Sequence, residues 1–373
     1  MAARSQATCQ PTASYGSDIG AARLRRPLSR LAPSCLRVEP DRCDGAHHQQ
    51  KCDSEMSVPY RIAAEIAASP AFERSNDALL RLDERLKSSP LSEGFASRAD
   101  FHEACATRWM QGELVHLEDL VLLDANTNRR MVDQETSHAW TMVRMRRVAR
   151  RRPIEWLMSD EGILDLESTR RARGAGDDHE LDELIYEPDW NEAQRLLAWR
   201  TAISEVDKLP ALICAAVAWD QWLRLEPIQH GSARAGLMAA LVLRSKAKTK
   251  HHLAAIDLGG RHAKYRRASH HQLSERIMGF LEWVETAASI GYKELDRLSL
   301  AHKVMSLKLT GRRKSSRLGE LVDLFISHPV VTVPMAAKAL RVTTRAADLM
   351  IKEIGSVPRE LTGRGRYKAW SVL

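Results

Sequence analysis

The chain has 373 residues, 44% of them hydrophobic and 28% charged, and a net charge of +8 at pH 7. That length allows two or three domains with a sizeable core, and the composition is that of a globular protein rather than a fibrous or wholly disordered one. No apolar run approaches the roughly 18 residues that a membrane-spanning helix needs, so no membrane partner and a cytoplasmic location are expected.

Residues 1–55 are rich in Ser, Ala, Arg, Pro, Gly and Gln and carry no sustained apolar period, which predicts disorder. No apolar h-region follows their scattered basic residues, so a signal peptide is not expected. Globular patterning begins at Met56 with MSVPYRIAAEIAASPAF, and a natural start at Met56 or at Met1 are both open readings. Four of the six cysteines (Cys9, Cys35, Cys43 and Cys52) fall before this point, near His47 and His48, and Cys105 and Cys214 come later. No C-x2-C or C-x4-C pair exists among them, and the adjacent pairs His251–His252 and His270–His271 would point apart on a helix, so no metal site is expected.

Residues 56–295 read as a helical domain. SRADFHEACATRWMQGELVHLEDLVLLDA and ETSHAWTMVRMRRVARRRPIEWL place apolar residues three and four apart. The run Arg144, Arg146, Arg147, Arg150, Arg151 and Arg152 reads as the solvated face and end of a helix stopped by Pro153. Residues 165–189 are charged and contain Gly174 and Gly176, which predicts a mobile loop. Beyond it, Asn191 is an expected N-cap and Pro210 an expected helix opener. The nearly all-apolar stretch Leu209 to Leu225 should form the central buried helix. Two further helices follow in HHQLSERIMGFLEWVETAASIGYKELDRLSLAHKVMSLKL, and the nine tryptophans are expected to serve packing.

Residues 296–373 hold 15 basic and 6 acidic residues, a net of +9, whereas the remainder nets −1. Positive charge gathered in one segment is the footprint of a polyanion binder. SRLGELVDLFISHP predicts an amphipathic linker helix ended by Pro329. Thr332 and Pro334 open a short helix, RVT is a tight connection, and TRAADLMIKEIG is a second helix with Leu349, Ile351 and Ile354 for the core and Gly355 as terminator. Two helices across a three-residue turn match a helix-turn-helix, and PRELTGRGRYKAWSVL reads as a hairpin wing. In such a module the N-terminal residues of the second helix lead into the major groove of double-stranded DNA. The expected DNA-binding residues are Arg341, Thr343, Thr344 and Arg345, with Arg364, Arg366 and Lys368 on the wing. The fold class is therefore mainly α, with a small α+β winged helix at the C-terminus.

The stretch KLPALICAAVAWDQWLRLEPIQHGSARAGLMAALVL resembles the core of Fic-family proteins, where a buried helix leads through H-P-F-x-[DE]-G-N-G-R-x-x-R into the next helix. The resemblance implies a nucleotide phosphate cradle at a helix N-terminus and, in intact members, transfer of AMP to a hydroxyl. Here Glu226 stands at the position of the catalytic histidine. Pro227, Gly231 and Arg234 match, Ile228 replaces the aromatic, and His230 stands at the metal-binding acid. Ser232 and Ala233 replace the asparagine and second glycine, and Leu237 replaces the final arginine. The base, the metal ligand and a phosphate arginine are absent together, which implies a domain without nucleotidyl transfer and with no cofactor. TRWMQG resembles the family's inhibitory motif, [ST]-x-x-x-E-[GN], with Thr107 and Gly112 retained and Gln111 in place of the glutamate. The tail also fits, since Fic proteins often end in a winged helix.

The whole arrangement is similar to a plasmid-borne family of unknown function from plant-associated bacteria that carries a helix-turn-helix tail. The reading is of a DNA-binding transcriptional regulator whose Fic-like domain senses a ligand or forms a homodimer. Gly231, Ser232 and Arg234 are the residues expected to hold a nucleotide or other anion. Two alternatives stay open: an enzyme of altered chemistry using Glu226, and a protein-interaction module with no DNA role.

Overall fold

The computed structural model describes residues 58–125, 133–171, 190–310, 316–362 and 368–372. Residues 1–57, including the segment read as disordered and its four cysteines, lie outside them.

The helices run in chain order. They are α1 (Val58–Ile66), α2 (Pro70–Lys87), α3 (Ser92–Met110), α4 (Leu117–Asp124), α5 (Gln134–Arg151), α6 (Ile154–Leu157) and α7 (Asp160–Arg171). Then come α8 (Glu192–Glu205), α9 (Ala211–Leu225), a 3-10 turn at Ser232–Arg234, α10 (Ala235–Ser245), α11 (Ile256–His262) and α12 (Leu273–Leu307). The C-terminal part is α13 (Leu318–Ser327), β1 (Val331–Thr332), α14 (Val333–Leu340), α15 (Thr344–Ile354), β2 (Arg359–Glu360) and β3 (Ala369–Ser371).

Local chemistry sets these boundaries. Asn191 caps α8 by accepting the Gln194 amide at 3.0 Å, and Pro210 stands at the N-cap of α9. Gln272 and Glu275 form a reciprocal capping box on α12. Eleven of the fifteen residues of α9 are buried, which makes it the central helix, packed against α8, α10 and α12. Trp199, Trp219, Trp222 and Trp283 are fully buried around it, with Trp199 edge-on to Trp222 at 5.2 Å and Trp219 edge-on to Trp283 at 4.9 Å. Asp220 of α9 is locked to α12 by Arg276, whose Nε and Nη2 donate to its two oxygens at 2.6 and 3.1 Å.

Three expectations are corrected. The arginine run is not a solvated face: Arg146 is fully buried, Arg147 and Arg150 are largely covered, and only Arg151 and Arg152 are exposed. The physical reason is partner supply from elsewhere in the chain. Arg146 Nε donates to Asp100 at 3.1 Å, Arg150 Nε to the other oxygen of Asp100 at 3.1 Å, and Arg147 holds Asp124 through both amino groups. Second, the segment read as a mobile loop from 165 begins as helix, because α7 continues to Arg171 on the buried side chains Ile163 and Leu166. Its remainder, 172–189, lies outside the described residues.

Third, the boundary drawn between 295 and 296 falls inside α12. That helix runs 35 residues, and no proline interrupts it. Gly291 sits mid-helix because a Cβ there would stand 2.7 Å from Leu82 of α2. One apolar cluster joins Leu82, Leu86 and Phe95 from α2 and α3, Ala288 to Met305 from α12, and the C-terminal helices and sheet up to Val372. The C-terminal module therefore packs on the helical body instead of hanging from a linker.

Candidate nucleic-acid interface

In the C-terminal module each turn has an identifiable cause. Thr332 Oγ1 accepts the Met335 amide at 3.2 Å and starts α14, with Pro334 in its first turn. Arg341 ends α14 in the left-handed region, φ 51°, and Thr343 caps α15 by accepting the Ala346 amide at 3.2 Å. The connection is thus Arg341–Thr343. Gly355 terminates α15 at φ 94°, a conformation that favours glycine. The three strands form an antiparallel sheet in the order β1-β3-β2, with Val331 opposite Trp370 and Arg359 opposite Ser371. Ala336, Ala337, Leu340, Ala347, Ile351 and Ile354 close a core beneath the two helices.

The outer surface is now defined. Arg341, Thr343, Thr344 and Arg345 are all exposed, gathered at the turn and the first turn of α15. Lys368 is half-buried and its Nζ donates to Glu360 at 3.3 Å, so its charge has a partner within the protein. Arg364 and Arg366 lie outside the described residues. Leu349 corrects the sequence expectation: it is 59% exposed, not core. Ala347, Ile351 and Ile354 set the inward face of α15 at helical spacing, which turns Leu349 outward between Arg345 and Lys352. Asp348 pairs with Lys352 at 2.6 Å. Leu349 and Lys352 are therefore members of this surface that residue type alone did not identify; their spacing from Arg345 is the signal that finds them.

The loop between α9 and α10 answers a separate question. Arg195 donates to the last carbonyl of α9, Leu225 O, at 2.6 Å, and Glu226 leaves the helix at φ 42°. Pro227, Ile228 and Gln229 turn inward, and His230 is exposed at φ 56°. The Gly231 amide donates to Ile228 O at 2.9 Å, and the Trp222 indole donates to Gly231 O at 2.8 Å. The Gly231 N–H of the expected anion site is therefore taken up in closing an internal turn. Arg234 is buried, and Ser232 is half-buried in the 3-10 turn. Leu237 is a core residue of α10.

The segment Thr107 to Gly112 forms the end of α3. Thr107 is buried and donates to Asp257 at 2.7 Å. Gln111 is the exposed C-cap and accepts from the Arg108 guanidinium, and Gly112 follows at φ 85°.

These features define a mainly helical protein that ends in a helix-turn-helix DNA-binding domain with a small sheet. Residues 318–373 match the family model described as an HTH DNA-binding domain, and residues 184–310 match that described as a protein of unknown function, DUF1612. The chain is 35% identical to the uncharacterized protein y4cF of Sinorhizobium fredii over 377 residues, covering 84% of this chain and 98% of that relative. The chain belongs to the family of that protein. Among the described residues no helix is long and apolar enough to cross a membrane.

Proposed function

We propose that the protein is a DNA-binding transcriptional regulator whose helical body is Fic-like but carries out no nucleotidyl transfer. The observation that carries the DNA reading is the outward face of α15, where Arg345, Leu349 and Lys352 stand in one row behind the exposed Thr343 and Thr344. A helix entering the major groove presents such a row to base edges. Arginine suits guanine, and an apolar side chain suits the thymine methyl. Arg341 and the wing residues Arg364 and Arg366 are assigned to the phosphate backbone, whereas Lys368 is held by Glu360. For the helical body, the engaged Gly231 amide and the buried Leu237 support a site without transferase chemistry.

The test is binding of the full chain to DNA upstream of its own gene across a salt series. Arg345→Ala is expected to lose about 1–3 kcal/mol of affinity and to relax base preference at one position. Arg341→Ala is expected to weaken all sequences alike and to reduce the salt slope by about 1. Equal affinity of the Arg345→Ala and unaltered proteins for the specific fragment would sink the assignment.

A homodimer is part of the same proposal. On the second half of α12, Leu300 (64% exposed), Val304 and Leu307 (71% exposed) form an apolar stripe at i, i+4 and i+7, opposite the buried Leu298, Ala301 and Met305. A second copy meeting this stripe would bring two recognition helices into one particle, as dimeric helix-turn-helix proteins do on paired half-sites. Sedimentation should find a dimer that Leu300→Asp with Leu307→Asp converts to monomer; a monomer at the outset removes this part.

A further inference from the structure

We propose that a cavity between α2, α3, α12 and the segment entering α11 binds a small, largely apolar carboxylic acid, and that its occupancy alters DNA affinity. The cavity measures about 190 Å³. Its walls include Leu79 and Leu82 of α2, Phe95 and Ala99 of α3, and Val284 and Ile290 of α12. A dry cavity of about 150 Å³ accommodates a benzene ring, so this one suits a ring with a short chain.

His102, His252, Lys293, Glu294 and Arg297 complete the lining. The His252 ring is committed to Asp83, 2.7 Å from Nδ1. Glu294 is held by Arg297 through two bonds of 3.0 and 2.7 Å. Burial holds His102 below the usual histidine range, so it faces the cavity uncharged. Lys293 stands exposed on the rim. An apolar body with one anionic end fits this arrangement, because the ring fills the walls and the carboxylate meets the cation at the mouth.

The same walls touch the DNA-binding module. Arg297 Nη2 donates to Val372 O at 3.3 Å, and Glu294 lies 3.9 Å from Arg98, whose Nε donates to the same carbonyl at 3.1 Å. Leu82, Phe95 and Ala288 line the cavity and belong to one apolar cluster with Trp370 and Val372. A ligand that moves α12 against α3 therefore acts on the residues that seat the module.

The experiment titrates the full chain with 3-phenylpropionate and with the uncharged 3-phenylpropanol by calorimetry, then repeats DNA binding at saturating acid. Both probes should bind saturably. Ala99→Phe should abolish both, whereas Lys293→Gln should weaken the acid about threefold to fivefold and leave the alcohol unchanged. Saturating acid should shift DNA affinity by at least about fivefold. No saturable binding of either probe, or binding that survives Ala99→Phe, overturns the site. Binding without any change in DNA affinity overturns the coupling. The coupling rests on the DNA-binding reading, but the calorimetric arm needs no DNA, so the two failures are separable.

Discussion

Arg98→Met is expected to lower stability by about 3–5 kcal/mol, the range found when one partner of a buried charged network is removed. Arg98 is fully buried, and each of its five N–H groups has an acceptor. Nε donates to Val372 O at 3.1 Å. Nη1 donates to Gly94 O at 3.0 Å and Ile326 O at 2.6 Å, and Nη2 to Phe325 O at 2.9 Å and His328 O at 3.0 Å. Three of these carbonyls belong to the C-terminus of α13, which has no further turn of helix to satisfy them. A guanidinium from α3 thus caps α13 and favours its negative end. Glu294 supplies countercharge at 3.9 Å, and burial draws the Arg98 pKa down to about 10, which leaves it protonated near neutrality. Gly94 permits the approach, since a Cβ there would stand 2.1 Å from Ile326 O. Urea unfolding followed by far-UV circular dichroism and tryptophan fluorescence should show one transition in the unaltered protein. In Arg98→Met, an early transition should separate as the C-terminal module detaches. Arg98→Lys should not restore it, because an ammonium has three donors and no planar fork. An unchanged midpoint in Arg98→Met would rule out this cap as a source of cohesion.

The second large effect concerns acids buried between α3, α5 and α11. Asp100, Glu103 and Asp257 are buried together, and Arg146 is the fully buried cation among them. Its amino groups also donate to Ala254 O at 3.2 Å and Leu253 O at 3.0 Å. Glu103 accepts the Asp257 and Leu258 amides at 3.0 and 2.8 Å, closing the N-terminus of α11. Arg146→Met should therefore cost about 3–5 kcal/mol, with carboxyls left facing carboxyls.

The same site sets a pH dependence. Burial first, and then the neighbouring Asp257 charge, push Glu103 up to about 8, and burial lifts Asp257 to about 6. Between the ordinary carboxylate range and about pH 8, the folded protein holds protons that the unfolded chain releases, so stability falls as pH rises. Below and above that window this contribution is constant. The melting temperature should drop by several degrees from pH 5 to pH 8, and Glu103→Gln should flatten the drop. A flat profile in the unaltered protein would refute the protonated pair.

Much of the architecture was legible because its determinants are local. Asn191, Thr332, Pro210 and Gly355 act within one turn of where they stand, so the starts of α8, α9 and α14 and the end of α15 could be read directly. What escaped depends on distant partners. Arg146 and Arg150 look solvated until Asp100, 46 and 50 residues upstream, is placed against them. Leu349 looks like core until the faces of α15 are fixed by what the helix packs on. The α9–α10 loop kept the outline of an anion cradle in its residue types, but the direction of the Gly231 N–H is a matter of backbone geometry that spacing does not reveal.

The uninterrupted α12 bears on how such a chain can diversify. At 1.5 Å per residue its 35 residues extend about 52 Å. A recombination joint at residue 296 would sever it near two-thirds of its length. The transferred tail would also leave Arg98, Leu82 and Phe95 behind in the donor. The tail is therefore not an exchangeable cassette, and new DNA specificities should arise by point changes on the outer row of α15, with the body and its tail inherited together.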